Sequence, residues 1–286
     1  MQGTYTLRIL EAAFELIWEI GPYFLISILI QVIIKQFFTV KIAILKQRHE
    51  LWMIPGAALF GIFSPLPTYA AVPIGLSLIP AGLPFSAVLA FIIASPLINP
   101  SVFYLTWTQL GLPLAVARVM VAFVLGCIGG LLVYYKFKNL EKSIKKTDSF
   151  HNPVKRPMYY EFYRTVLFLG KYFLISVFIS AAVKALVPAE MIGRLLGSNA
   201  RSGLLVAIAL GVPFYSCGGA AIPFVEVLQE MGMSSGAALT FFIAGPATKL
   251  ETLFIFKNLL GGRIMGFYLI LTLTGAWLAG FAFMLF

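Results

Sequence analysis

Charge is what this chain has least of. Only 11% of its 286 residues are charged, 60% are hydrophobic, and the mean hydropathy is +0.94. A soluble domain of this length needs a surface far richer in Lys, Arg, Asp and Glu, so a water-soluble globular fold is excluded. Cysteine is nearly absent as well. Cys127 and Cys217 are the only two, too few for a disulfide framework. The two histidines, His49 and His151, stand far apart in hydrophilic loops and offer no metal site. There is no G-x-x-x-x-G-K-[ST] run and no soluble domain to hold a nucleotide engine. Paired histidines, a His-Glu metal spacing and a nucleophile beside an obvious base are all missing. Ser216 or Cys217 with Lys249 is the one conceivable dyad, so neither enzyme chemistry nor a cofactor is expected. The start of the chain lacks a cationic stretch leading into an apolar core and a small-residue cleavage site, so no removable signal is expected.

What the chain does have is long apolar runs. Residues 264–286, IMGFYLILTLTGAWLAGFAFMLF, are 23 residues without a charge. At about 1.5 Å per residue such a helix crosses a hydrocarbon layer of roughly 30 Å. The expected class is an all-α, multi-pass membrane protein. The net charge of +10 sits in short runs between apolar segments, which is the pattern of membrane orientation and not of nucleic-acid binding.

The chain also repeats itself. GPYFLIS at 21–27 returns as GKYFLIS at 170–176, and the match runs on to Lys35 and Lys184. Beyond that the offset is 150: Ala70-Ala71 matches Ala220-Ala221, Pro73 matches Pro223, and Gly82 matches Gly232. Ala87, Leu89, Phe91, Ile93, Ala94 and Pro96 recur at 237, 239, 241, 243, 244 and 246; Gly61 and Gly111 recur at 211 and 261. Gly126/Gly130 returns as Ala276/Gly280, a small-xxx-small spacing that lets helices approach closely in lipid. The expected organisation is a first membrane repeat at 1–135, a basic linker at 136–162, and a second membrane repeat at 163–286.

Charge orients the repeats. The linker holds seven basic residues as far as Arg156 against Glu141 and Asp148, and the loop after the first span holds Lys35, Lys41, Lys46 and Arg48. Both belong in the cytoplasm by the positive-inside rule. The N-terminal segment carries Glu11, Glu15 and Glu19 instead. The turn at 109–113 is uncharged, whereas its counterpart has Lys257 and Arg263; Arg194 and Arg201 run against the trend. Equivalent loops thus prefer opposite faces, which predicts inverted-topology repeats with both termini outside and about eight to ten helical segments.

The middle of each repeat is not one clean helix. Pro55, Pro65, Pro67, Pro73, Pro80, Pro84, Pro96 and Pro100 punctuate the first. A proline within a helix removes a hydrogen bond and costs about 3 kcal/mol. In lipid the freed backbone must be buried in protein or line a wet cavity. SPLPTYAAVP (64–73) and ASPLINP (94–100), with GVPFYSCGGAAIP (211–223) and AGPATKLE (244–251) as their counterparts, are therefore expected to be breaks or re-entrant hairpins. The break positions are Pro67, Pro73, Pro96, Pro213, Pro223 and Pro246. Paired interruptions in two halves point to a transporter's central site.

These segments resemble the signature of a bacterial family of permeases, the YraQ/ArsP-like group that includes methylarsenite efflux permeases. The resemblance rests on VPIGLSLIPAGLPFSAVLAFIIASPLINP (72–100) and IPFVEVLQEMGMSSGAALTFFIAGPATKLE (222–251). It implies a permease of the bacterial cell membrane moving a small solute, by efflux in some members and as half of a two-component complex in others. Many members carry a Cys-Ser-Cys-Gly element before the first of these prolines. Here the equivalent positions are Pro67 and Tyr69 in one repeat, Cys217 and Gly219 in the other. Soft cations and trivalent arsenicals favour two or three thiolates, and one remains.

The candidate pathway residues are Cys217, Ser216, Tyr69, Glu226, Asn99, Lys249 and Glu251. No charge falls between Glu50 and Arg118 in the first repeat, while the second has Glu226, Glu230, Lys249 and Glu251. Ionisable groups at membrane depth cost at least about 2.5 kcal/mol. Glu226, three residues after Pro223, is the candidate proton carrier, because a desolvated carboxylate holds its proton more tightly. Glu230, next to Gly232, is expected to end that helix at the interface. Asn99 and Ser101 are the neutral counterparts of Lys249 and Glu251, as a site spanning a pseudo-twofold would have. The expected function is a secondary transporter working by alternating access, with proton coupling. The alternative is a membrane subunit completed by a partner protein or by a second copy of the chain. Expected partners are the lipid bilayer and a small solute or ion.

Overall fold

The computed structural model describes residues 2–37, 50–64, 68–79, 82–136, 157–197, 202–211 and 220–285. Among them are thirteen helices and no strand: α1 (Gln2–Phe37), α2 (Glu50–Ile62), α3 (Thr68–Ser77), α4 (Phe85–Ala94), α5 (Pro100–Leu110), α6 (Leu112–Lys136), α7 (Met158–Leu186), α8 (Ala189–Leu196), α9 (Gly203–Gly211), α10 (Ile222–Glu230), α11 (Ser235–Ala247), α12 (Leu250–Leu259) and α13 (Gly262–Phe283). The protein is an all-α membrane protein. Its helices outnumber the eight to ten segments expected, because each interruption ends one short helix and starts another. Residues 158–162, assigned to the linker from sequence, belong to α7, and 137–156 lie outside the described residues.

Leu10–Ile30, Leu112–Lys136 and Gly262–Phe283 are long and apolar enough to cross a membrane. A fourth candidate is Phe173–Lys184 with Ala189–Leu196, bent by 107° between its two parts. The bend follows from sequence: Pro188 interrupts the helical hydrogen bonding, and α8 then buries Ile192 and Leu196 while exposing Glu190 and Arg194.

The short helices start and stop for local reasons. Asn99 caps α5, its Oδ1 accepting from the Val102 N–H at 2.9 Å, with Pro100 at the first helical position. Ser234 caps α11 in the same way through the Ala237 N–H at 3.2 Å. Among the described residues, the four glycines with positive φ form two repeat pairs: Gly82 (97°) with Gly232 (102°), and Gly111 (92°) with Gly261 (87°). Each turns the chain where a side chain would be strained.

The prolines behave differently from one another. Pro96 lies in the interruption between α4 and α5, and Pro223 opens α10. Pro73 and Pro246, expected at breaks, sit inside α3 and α11, and the second interruption falls later, at Thr248–Lys249. Pro246 removes the helical N–H that the Phe242 carbonyl would otherwise accept from, and the helix closes one step later through the Thr248 N–H to the Ala244 carbonyl at 3.0 Å. Pro67 and Pro213 lie outside the described residues.

Glycine contacts give the helix directions. A Cβ on Gly126 of α6 would approach Ala58 (3.1 Å) and Ala94 (3.2 Å); one on Gly130 would approach Ile54 (2.7 Å) and the Ser86 carbonyl (2.9 Å). As α6 advances, its partners on α2 and α4 recede, so α2 and α4 run parallel to each other and against α6. The intervening α3 packs on α4. The second repeat keeps the same contacts: Gly61 meets Phe91 and Ser95, and Gly211 meets Phe241 and Gly245.

The repeats meet through equivalent elements. Phe24 of α1 stacks on Phe173 of α7, with centroids 4.3 Å apart. A Cβ on Gly275 of α13 would strike the Leu125 side chain of α6, and one on Gly129 would lie 3.0 Å from Leu271. Leu125 pairs with 275 and residue 129 with 271, so α6 and α13 run antiparallel. Lys184 near the end of α7 lies close to Glu15 and Glu19 in the first half of α1, so this pair is antiparallel too. The short helices interlock reciprocally, α3 packing on α12 and α5 on α10.

Candidate functional site

The interlocked short helices bring the second repeat's α10 against α5 and α7. Glu226 lies on α10, half-buried, and its Oε2 is enclosed with no hydrogen-bond partner among the described residues. One turn further on, Glu230 accepts from Lys184 Nζ of α7 at 2.8 Å, with the two side chains 43% (Lys184) and 50% (Glu230) exposed. Glu230 thus ends its helix in an exposed ion pair, of the kind worth about 1 kcal/mol or less. Glu226, about 6 Å deeper along the axis, feels the charges of Glu19, Glu230 and Lys184 without bonding to any described group. Its repeat equivalent is Leu76, buried and apolar.

At the α4/α5 interruption the Asn99 Oδ1 serves the helix cap. It also accepts from Ser101 Oγ at 2.7 Å, so both neutral residues serve the helix cap. Lys249 is the half-buried cap residue of α12. The side chains of Tyr69 and Glu251 fall outside the described residues, although their backbones belong to α3 and α12; Ser216 and Cys217 fall outside them altogether. Cys127 is partly buried in α6. Among the described residues, no group of three His, Cys, Asp or Glu side chains could hold a metal ion.

One buried charge escaped the sequence reading, which used Arg118 only as the edge of an uncharged stretch. Arg118 is fully buried on α6. Its Nη1 donates to Thr106 Oγ1 of α5 at 2.6 Å, and its Cζ lies 4.1 Å from the ring centroid of Phe242 on α11. Nε and Nη2 are enclosed with no partner among the described residues. The signal was present: a lone arginine inside LPLAVARVMVAFVLG (112–126). Such a group in an apolar span costs at least about 2.5 kcal/mol and marks a functional position by default.

A helical membrane protein with interlocked half-helices and isolated buried charges belongs, as a class, with permeases. Over residues 5–285 the sequence matches the ArsP_1 family, described as "Predicted permease", and the chain belongs to that family. The UPF0718 protein YcgR of Bacillus subtilis (strain 168) is 24% identical, over 90% of this chain and 92% of its own. A Streptococcus mutans protein named as a two-component membrane permease complex subunit is 25% identical, over 88% of this chain and 87% of its own. No solved structure matches the chain.

Proposed function

We propose that this permease is a secondary transporter that moves a small solute by alternating access between two inverted repeats, with Glu226 carrying a proton. The observation that supports this most is the antiparallel crossing of α6 with its own repeat equivalent α13. Equivalent spans pointing in opposite directions are what inverted repeats require, and a site at their junction is then exposed to one side at a time. On this reading α2–α3 and α9–α10 are re-entrant hairpins from opposite faces, and α4–α5 and α11–α12 are crossings interrupted near mid-depth. The basic linker is cytoplasmic and both termini are outside.

Glu226 fits the proton role because it is the enclosed acid of α10, placed one turn inside an exposed ion pair. Protonation would remove the cost of an unpaired carboxylate in that site. The test is proteoliposomes under imposed pH gradients, with an internal pH dye and a panel of solutes. Wild type should acidify or alkalinise with the solute that it carries, and Glu226→Gln should lose the gradient dependence. Equal gradient-driven activity in both would remove the proton role.

A second reading, a subunit completed by a partner, is supported by the Streptococcus mutans relative's name. Thiol labelling at Cys217 from each side separates the two: a carrier shows side-dependent access and solute protection, and a passive partner subunit shows neither.

A further inference from the structure

We infer that Arg118 is the binding centre for an anion that presents two oxygens side by side, a small carboxylate or oxyanion. This assigns a substrate class to the carrier proposed above and rests on that reading. The two unpartnered nitrogens, Nε and Nη2, are the pair whose N–H bonds leave the guanidinium in parallel along one edge. That edge matches a carboxylate or phosphate bidentately. The rest of the group is already held in place. Nη1 is bonded to Thr106 Oγ1, which itself donates to the Val102 carbonyl at 2.7 Å, and the face of the guanidinium lies on Phe242. No described carboxylate pairs with Arg118. What is missing is an acceptor.

The second repeat serves as the internal control. The positions 150 residues after Arg118 and Thr106 are Tyr268 and Phe256, which stack with centroids 4.3 Å apart, Tyr268 fully buried. The fold therefore fills this junction without a charge, and packing alone does not call for an arginine. Arg118 also joins the two halves, since it stands on α6 of the first and lies against Phe242 of the second. An anion bound there would be released when one half moves against the other.

The test uses the full chain in detergent micelles, with thermal unfolding and equilibrium binding measured against phosphate, sulfate and succinate at constant ionic strength. At least one should raise the unfolding temperature of wild type saturably. Arg118→Lys, which keeps the charge but lacks the parallel edge, should weaken that binding at least tenfold, and Arg118→Met should abolish it. Without anion, Arg118→Met should unfold no earlier than wild type, because no unpaired donor remains on that side chain. Failure of all three anions to stabilise wild type, or full binding by Arg118→Lys, overturns the assignment, whether or not Arg118→Met folds. Anion binding lost in Arg118→Lys, with no proton-linked flux in wild type, would keep this site and remove the carrier. Flux of an uncharged solute untouched by Arg118→Lys would keep the carrier and remove this site.

Discussion

Phe24 and Phe173 hold the same place in the duplicated heptapeptide, and they stack on one another with rings 17° from parallel. Two equivalent residues can touch only where the operation relating the repeats passes between them. Leu125 and position 275 are a second such pair. One lies at the crossing of α1 and α7, the other at the crossing of α6 and α13. Both crossings are antiparallel, which supports a pseudo-twofold running across the spans and not along them.

The stacked pair is testable by a double-mutant cycle. Phe24→Ala and Phe173→Ala should each lower the unfolding temperature, and the double variant should lose less than the sum. The expected coupling is about 0.5–1.5 kcal/mol, as for offset aromatic pairs. Strict additivity would mean that the rings do not meet in the folded protein.

At the second pair, Gly275 leaves room for Leu125. Gly275→Val should drive a branched side chain into that leucine and destabilise the fold by about 1–3 kcal/mol. Leu125→Ala should rescue it, because the obstructing atoms belong to a side chain and not to backbone. Thermal unfolding of the two single variants and the double decides this; absence of rescue would place the clash elsewhere.

Much of this arrangement was legible in the sequence because a duplication leaves its mark at fixed spacing. The heptapeptide marked α1 and α7, the turn at 109–113 was expected where α5 gives way to α6, and Glu226 stood out as an acid in an apolar helix. The breaks were less legible. Pro246 and Pro73 sit inside helices because one lost hydrogen bond is tolerable within packed protein, while the interruption falls at Thr248–Lys249. Asn99 read as a polar site residue, and its Oδ1 caps α5, a role that depends on which N–H that oxygen reaches. Arg118 was overlooked because counting charges within the broken segments never asked what an arginine does inside a clean span.

Tyr268 gives the sharpest stability forecast. Its ring stacks on Phe256, but its hydroxyl is buried with no partner among the described residues. Tyr268→Phe keeps the stack and removes a desolvated polar group, so unfolding should stay unchanged or shift upward by about 1 kcal/mol. Tyr268→Ala should be strongly destabilising. A clear loss of stability in Tyr268→Phe would show that the hydroxyl has a partner in the working protein.

Lys184–Glu230 and Glu226 are neighbours with different assignments, and one pair of variants separates them. Glu230→Gln removes an exposed ion pair, so it should cost no more than about 1 kcal/mol, fade in high salt, and leave gradient-driven flux intact. Glu226→Gln should do the opposite, with unfolding little changed and the response to an imposed pH gradient gone. If both variants lost flux equally, the ion pair and not the enclosed acid would be the coupling element.

The orientation of the two halves can be measured directly, and the carrier reading depends on it. In a background with Cys127→Ser and Cys217→Ser, single cysteines are introduced as Gly3→Cys, Ser143→Cys and Leu285→Cys. α6 and α13 are antiparallel, and so are α1 and α7. The Ser234 N–H bonds to the Leu196 carbonyl and Gly236 packs on Gly280, which sets the end of α7–α8 beside the end of α13. Positions 3 and 285 should therefore share one face and position 143 the other. A membrane-impermeant thiol reagent applied to intact cells should label the first two and spare the third, which should react only after permeabilisation. Labelling of position 143 together with both termini would require parallel halves, and alternating access about a transverse pseudo-twofold would then have no structural basis.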